Sequence, residues 1–193
     1  MTTGTVKSLW RFPVMPMAGE RLRSTRLDER GVAGDRRHVI FGPRGPLTAE
    51  DAPALVRWRA EFPFNPDGSI VRRESPYPIL HAPAAAGSFR WGDPRLQRRL
   101  EELTGVPLEF VRDADAVHPV VVAAVAPDQD AALAGVNVQL DIALPAGGWA
   151  GSELLFPAGV RLRLISSRAD GPGIETRVIV GGRIVIGDFV DLG

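Results

Sequence analysis

"VNVQLDIAL", residues 136–144, alternates apolar and polar residues along its length. Val136, Val138, Leu140, Ile142 and Leu144 fall on one face, and a period of two is that of a strand with that face in a core. "VRLRLIS" at 160–166 alternates in the same way, and "HPVVVAAV" at 118–125 reads as a buried strand. Residues 5–12 and "RHVIF" at 37–41 add strands near the start, with "FGPRGPL" at 41–47 as a turn. Asp67-Gly68 marks the turn of a hairpin over 65–74. The closing "ETRVIVGGRIVIGDFVDL", 175–192, predicts a hairpin around Gly181-Gly182 with a kink at Gly187-Asp188. Glycine (21 residues) and proline (17) are spread throughout, which suits many short strands joined by turns and not a helical bundle.

Helices are few. The clearest is "DPRLQRRLEELTG", 93–105, where Asp93 caps, Pro94 takes the first helical position and Gly105 ends the run. Leu96, Leu100 and Leu103 form its apolar stripe. A short helix is expected after Asp51 as cap and Pro53 in the first turn, with Leu55, Trp58 and Phe62 on one face. "PDQDAALAG", 127–135, reads as another short helix. The expected fold is mainly β, a barrel with a few short peripheral helices, because closing the sheet leaves no long exposed edge.

The bulk numbers limit function. The 193 residues suit one large domain or two small ones sharing a core, and 45% hydrophobic residues are enough to fill it. Lys+Arg and Asp+Glu balance at 23 each, so no global basic field draws the chain to nucleic acid or an anionic membrane. There is no cysteine, which excludes disulfides, thiolate metal sites and persulfide carriers in this chain. No basic-then-apolar leader pattern and no apolar run of roughly 18 residues occurs, so a cytoplasmic location is expected. A homo-oligomer is compatible with the sequence.

"SLWRFPV…GERL" at 8–22, "GVAGDRRHVIF", "DPRLQRRLEELTGVPLEFV", "VNVQLDIAL", "GGWAGSELLFPAGVRLRL" and the final "GGRIVIGDFVDL" occur in an order that resembles MOSC-domain proteins. MOSC names the C-terminal domain of molybdenum cofactor sulfurases. The resemblance implies one unit over 1–193, with 1–75 as the N-terminal β-barrel portion and 76–193 as the MOSC core-like portion. It also implies a cleft that holds the molybdenum cofactor or handles sulfur for it. In such proteins a lysine after the first Pro-Val and an arginine after Gly-Asp meet the phosphate and pterin, an Arg-Pro-Asn stretch opens a later strand, and a cysteine near the end ligates molybdenum or carries sulfur. Arginine and lysine suit a phosphorylated ligand, and sulfur suits a soft metal.

This chain departs from that pattern. Met15 stands at the lysine position, Gly135-Val136-Asn137 keeps only the asparagine, and the cysteine is gone. "LISSRADGPGIETRVIV" runs almost directly from one strand to the next where the family places a longer loop. Arg36 remains, with Ser166, Ser167 and Arg168 near the missing thiol.

Three readings of function stand. In the first, the barrel cleft binds a small organic substrate and acts as a metal-independent enzyme of specialised metabolism, by cyclisation, elimination or isomerisation. No cofactor or metal is expected there. In the second, the protein binds or carries molybdenum cofactor (molybdopterin) without sulfur transfer. In the third, the cleft is closed and the chain is an accessory subunit.

The candidate catalytic residues are His38, Glu20 and Arg36. His38 is an acid–base group or a hydrogen-bonded strand histidine, and Glu20 is a cleft acid or a partner of Arg36. The ligand-binding candidates are Arg11, Met15, Met17, Asn137, Trp149, Ser167 and Arg168. Met15 and Met17 are either an adaptable apolar lining or ordinary core. Trp149 either covers the barrel mouth or fills a corner of the core. No Ser-His-Asp arrangement or zinc spacing is visible, and His118 before Pro119 reads as a strand-start residue.

Overall fold

The computed structural model describes residues 2–63, 77–113, 115–125, 135–143, 149–169 and 173–193. They form two compact units interleaved in sequence. Unit 1 is Met1–Arg11, Arg21–Ala33 and Val117–Gly193; unit 2 is Phe12–Glu20 and Gly34–Ala116. The 75/76 boundary falls inside unit 2. The hairpin expected over 65–74 and the helix expected over 127–135, except its closing Gly135, lie outside the described residues.

Unit 1 holds a closed barrel of seven strands. Its order is Val138–Asp141, Val120–Ala124, Ile174–Val180, Arg161–Ser167, Glu153–Leu155, Phe189–Leu192 and Thr2–Arg11, which pairs back onto Val138–Asp141. Closure needs a tight seam. Thr5 pairs with Asp141 there, and a Cβ on neighbouring Gly4 would come within 2.3 Å of the Asp141 carbonyl oxygen, so the seam accepts only glycine. Leu9, Val122, Val138, Leu140, Leu154, Leu162, Leu164 and Val190 fill the interior.

Val138, Leu140 and Ile142 bury in the barrel core as the alternation predicts, Val136 joins a different cluster, and Leu144 lies outside the described residues; Asn137 and Gln139, between the apolar positions, are not solvated. Asn137 and Gln139 are as buried as Val138 and Leu140. Gln139 is satisfied by the Ser8 hydroxyl, which donates to its Oε1 at 2.6 Å. A Val121, Ala123, Val125 and Val136 cluster buries the opposite face of the adjoining strand.

The hairpin expected at Gly181-Gly182 is not formed. Ile174–Val180 pairs within the barrel, while Gly182–Val185 leaves it to pair with Ser24–Asp28, which in turn pairs with Gly31–Val32. The cause is packing. Ile184, Leu27 and Val32 bury into the unit 1 core, which a turn back along Ile174–Val180 would not allow. Gly187 does form the expected kink, and the Asp188 carboxylate accepts the Val185 N–H at 2.8 Å.

Unit 2 contains a three-stranded sheet, Arg59–Glu61, Ile79–His81 and Ser88–Arg90, and a second sheet built on His38–Gly42. Its α-helix is Pro94–Thr104, and Asp93 caps it by accepting the Arg95 N–H at 2.8 Å. Leu96 and Leu100 are buried, but Leu103 is exposed, so the stripe is narrower than the sequence suggests. The helix expected after Asp51 is a short 3-10 turn, Pro53–Arg57, without a side-chain cap. Asp51 instead bonds Thr48 and Arg44, and Trp58 and Phe62 reach the interior from the start and end of the following strand.

Candidate functional site

An open cleft of about 230 Å³ lies on unit 1. Its floor is the start of the Val120–Ala124 strand against Thr176, whose hydroxyl donates to the Val120 carbonyl at 2.8 Å. One wall is the Glu29–Gly31 turn, held by the His118 N–H donating to the Arg30 carbonyl. Gly31 sits at φ +102, and a Cβ there would fall 2.3 Å from the His118 carbonyl oxygen; only glycine lets the turn approach this closely. The other wall is the Ile174–Val180 strand with Ile165.

The lining combines two chemistries. Glu29, Glu175 and His118 supply acidic and acid–base groups, and Arg177 is the one guanidinium among the described lining residues. Val117 (68% exposed) and Ile165 (44% exposed) set an apolar rim in open water. Exposed aliphatic side chains beside carboxylates suit a ligand with an apolar body and a polar, proton-donating head. The volume is below the roughly 300–1,000 Å³ typical of drug-sized sites, so the fitting ligand is small.

None of the ten residues expected from the sequence lines this cleft. Arg11, Asn137, Trp149, Ser167 and Arg168 belong to unit 1; His38, Glu20, Arg36, Met15 and Met17 belong to unit 2. Most are committed to structure. Arg11 is buried, with Nη1 donating to the Ala33 carbonyl at 3.1 Å. Asn137 clasps two strands: its Oδ1 accepts the Val121 N–H and its Nδ2 donates to the Trp10 carbonyl. Trp149 packs partly buried against the barrel core. Ser167 is exposed at a strand end, and the Arg168 guanidinium lies over Gly135. Met17 is core, whereas Met15 is half-buried in a two-residue strand.

Arg36 adopts φ +52 and pairs with Asp35 at 2.7 Å; the same aspartate accepts the Phe12 N–H. It serves a turn of unit 2, whereas the closed barrel belongs to unit 1. The Glu20 carboxylate accepts the Phe62 N–H at 3.3 Å.

His38 is a different case. It is 1% exposed, and no side chain among the described residues hydrogen-bonds its ring nitrogens. Phe62, Tyr77 and Trp91 surround the ring, the last at 4.9 Å between centroids. Burial pushes its pKa down to about 4; Arg112, directly across the strand pair, adds to this and the Pro13 carbonyl opposes it. The imidazole is therefore neutral over the physiological range.

The cleft residues escaped sequence reading because Glu29, His118 and Glu175 are far apart in the chain and match no spacing motif. The one local signal was His118-Pro119 at a strand start, beside a glutamate in the apolar "IETRVIV".

A closed mainly-β barrel with a small cleft defines the class. Residues 3–97 match the model of the MOSC N-terminal beta barrel domain, and this portion of the chain belongs to that family. No curated protein matches it. Among solved structures, the crystal structure of the YUAD protein from Bacillus subtilis is similar, at 10% identity and a TM-score of 0.42, covering 98% of this chain and 97% of that one. Among the described residues no helix is long and apolar enough to cross a membrane, and no group of three or more His, Asp or Glu side chains is placed to hold a metal ion.

Proposed function

We propose that this MOSC-family protein binds a small organic cation, a primary amine or guanidine with an apolar body, in the barrel cleft. The observation that carries the reading is the pairing of Glu29 and Glu175 with the exposed aliphatic rim of Val117 and Ile165. An ammonium group gains from the carboxylates while the body covers the rim. The acid–base groups there, His118 and the two glutamates, suit metal-independent proton transfer in a cyclisation, elimination or isomerisation. Chemistry through a cysteine of this chain is excluded, because there is none.

A phosphorylated pterin does not fit this donor set. The cleft offers two carboxylates against one guanidinium. The residues that the family would turn toward phosphate are engaged elsewhere: Arg36 with Asp35, and Asn137 with backbone groups of two strands.

Benzylamine and benzoate, titrated into the full chain by calorimetry, test the proposal. Benzylamine binding saturates, benzoate binding does not, and Glu29→Gln with Glu175→Gln weakens the amine. At about 1 kcal/mol for each exposed pair, each substitution costs roughly fivefold in Kd. Equal binding of both probes, or an amine affinity unmoved by the double substitution, overturns it. Saturable binding of inorganic phosphate in the cleft would favour the cofactor-carrier reading instead.

A further inference from the structure

The three-stranded sheet of unit 2 places three side chains in a row across its strands. The Ser88 Oγ lies 2.8 Å from His81 Nδ1, and His81 Nε2 lies 2.9 Å from Glu61 Oε1. Register explains the row: Ser88 pairs with His81, and His81 pairs with Arg59, two residues before Glu61. No sequence motif announces this, because the three residues come from three different strands.

The protons are fixed by the acid. A carboxylate only accepts, so Nε2 carries the hydrogen and donates it to Glu61. Nδ1 then presents a lone pair, and the Ser88 hydroxyl donates to it. A nucleophile bonded to a base that a third group orients is the arrangement of an activated serine, whatever the order in sequence. Arg59 pairs with the other Glu61 oxygen at 3.2 Å and holds that carboxylate in place.

The backbone adds a donor. Ala82 N–H donates to the Gly87 carbonyl at 2.9 Å, so 82 and 87 form a hydrogen-bonded pair and the adjacent His81 and Ser88 form a non-hydrogen-bonded one. Ser88–Arg90 is the edge strand of this sheet, and the Ser88 N–H therefore points off the edge beside its own Oγ. Ser88 is exposed and reachable.

We infer that Ser88, His81 and Glu61 form a second, catalytic site that cleaves small activated carboxylic esters by acyl transfer. The Ser88 Oγ bonds to the acyl carbon as its proton passes to His81 Nδ1, and the Ser88 N–H stabilises the oxyanion. The carbonyl reforms, the C–OR bond breaks, and Nδ1 returns the proton to the departing alcohol. Water then attacks the acyl-serine, Nδ1 takes its proton and passes it to Oγ, and the carboxylic acid leaves. Ser88 and His81 are catalytic residues. Glu61 positions the imidazole. This site is independent of the barrel cleft.

The test is covalent labelling of the full-length chain with an alkyl fluorophosphonate. It forms an Oγ–P bond, expels fluoride, and passes the serine proton to His81. Peptide mass spectrometry locates the label. Labelling at Ser88 is expected, with the rate falling on the order of a hundredfold in His81→Gln, as loss of a general base predicts. In Glu61→Gln the pH profile of labelling shifts, which a merely structural role would not produce. p-Nitrophenyl acetate turnover, lost in Ser88→Ala, gives a second readout. Labelling elsewhere, or labelling of Ser88 at the same rate with and without His81, overturns the inference and leaves a structural hydrogen-bond row. Circular dichroism of each variant separates misfolding from lost chemistry.

Discussion

Replacing His38 with phenylalanine tests the central electrostatic feature of unit 2. The unfolded imidazole titrates at 6.5 and the folded one at about 4. As pH falls, protons bind the unfolded chain first, so acid favours unfolding. The stability held by neutral His38 at pH 7 is lost progressively from about pH 6.5 down to about pH 4. At pH 5 the unfolded group is protonated about thirtyfold in excess, and the folded group hardly at all. That is about 2 kcal/mol relative to pH 7. Phenylalanine has no such linkage, and it removes two buried ring nitrogens that no side chain satisfies, so the variant is about as stable as wild type at pH 7. Thermal unfolding followed by tryptophan fluorescence reports the event, since Trp91 lies against the ring. On moving from pH 7 to 5 the gap shifts by about 2 kcal/mol in favour of the variant, which for a chain of this size is roughly 4–8 °C in Tm. Comparing the two proteins cancels every other titrating group. Arg112→Ala removes the second cause of the shift and narrows the effect. A gap that stays constant between pH 7 and 5 refutes the reasoning.

Three further outcomes follow from local geometry. Gly31→Ala forces a Cβ onto the His118 carbonyl at a positive φ, and urea unfolding shows a loss of at least about 1–3 kcal/mol with the cleft wall displaced. Asn137→Ala leaves the Val121 N–H buried without an acceptor, costing about 1–3 kcal/mol and raising amide exchange at Val121. Asp93→Ala removes the helix cap and costs about 1 kcal/mol, read as lost helicity by circular dichroism together with a lower Tm.

Much of the architecture is legible in local sequence signals. Period-two alternation placed the strands at 138–141 and 161–167, and the Asp93-Pro94 start with the Gly105 stop placed the helix, because these signals are local. The absence of cysteine means that no thiol chemistry belongs to this chain. The ordered motifs led to the MOSC family, which the match over 3–97 bears out.

Strand pairing and side-chain company, by contrast, emerge only in the folded chain. Gly181-Gly182 reads as a hairpin turn, yet Gly182–Val185 pairs with Ser24–Asp28 because Ile184 finds a core there. Asn137 reads as a ligand-binding candidate and Gln139 as a polar position of an alternating strand, yet Ser8, Val121 and Trp10 supply their partners and let both residues bury. His38 reads either as an acid–base group or as a strand histidine, and only the burial imposed by the rings packed around it shows that it is neutral. Ser88, His81 and Glu61 come into line only through strand register, and Glu29, His118 and Glu175 meet only across the folded unit. Side-chain periodicity fixes which way a residue faces. What it faces depends on elements far away in the chain, and that long-range choice is made by burial and hydrogen-bond satisfaction in the folded protein.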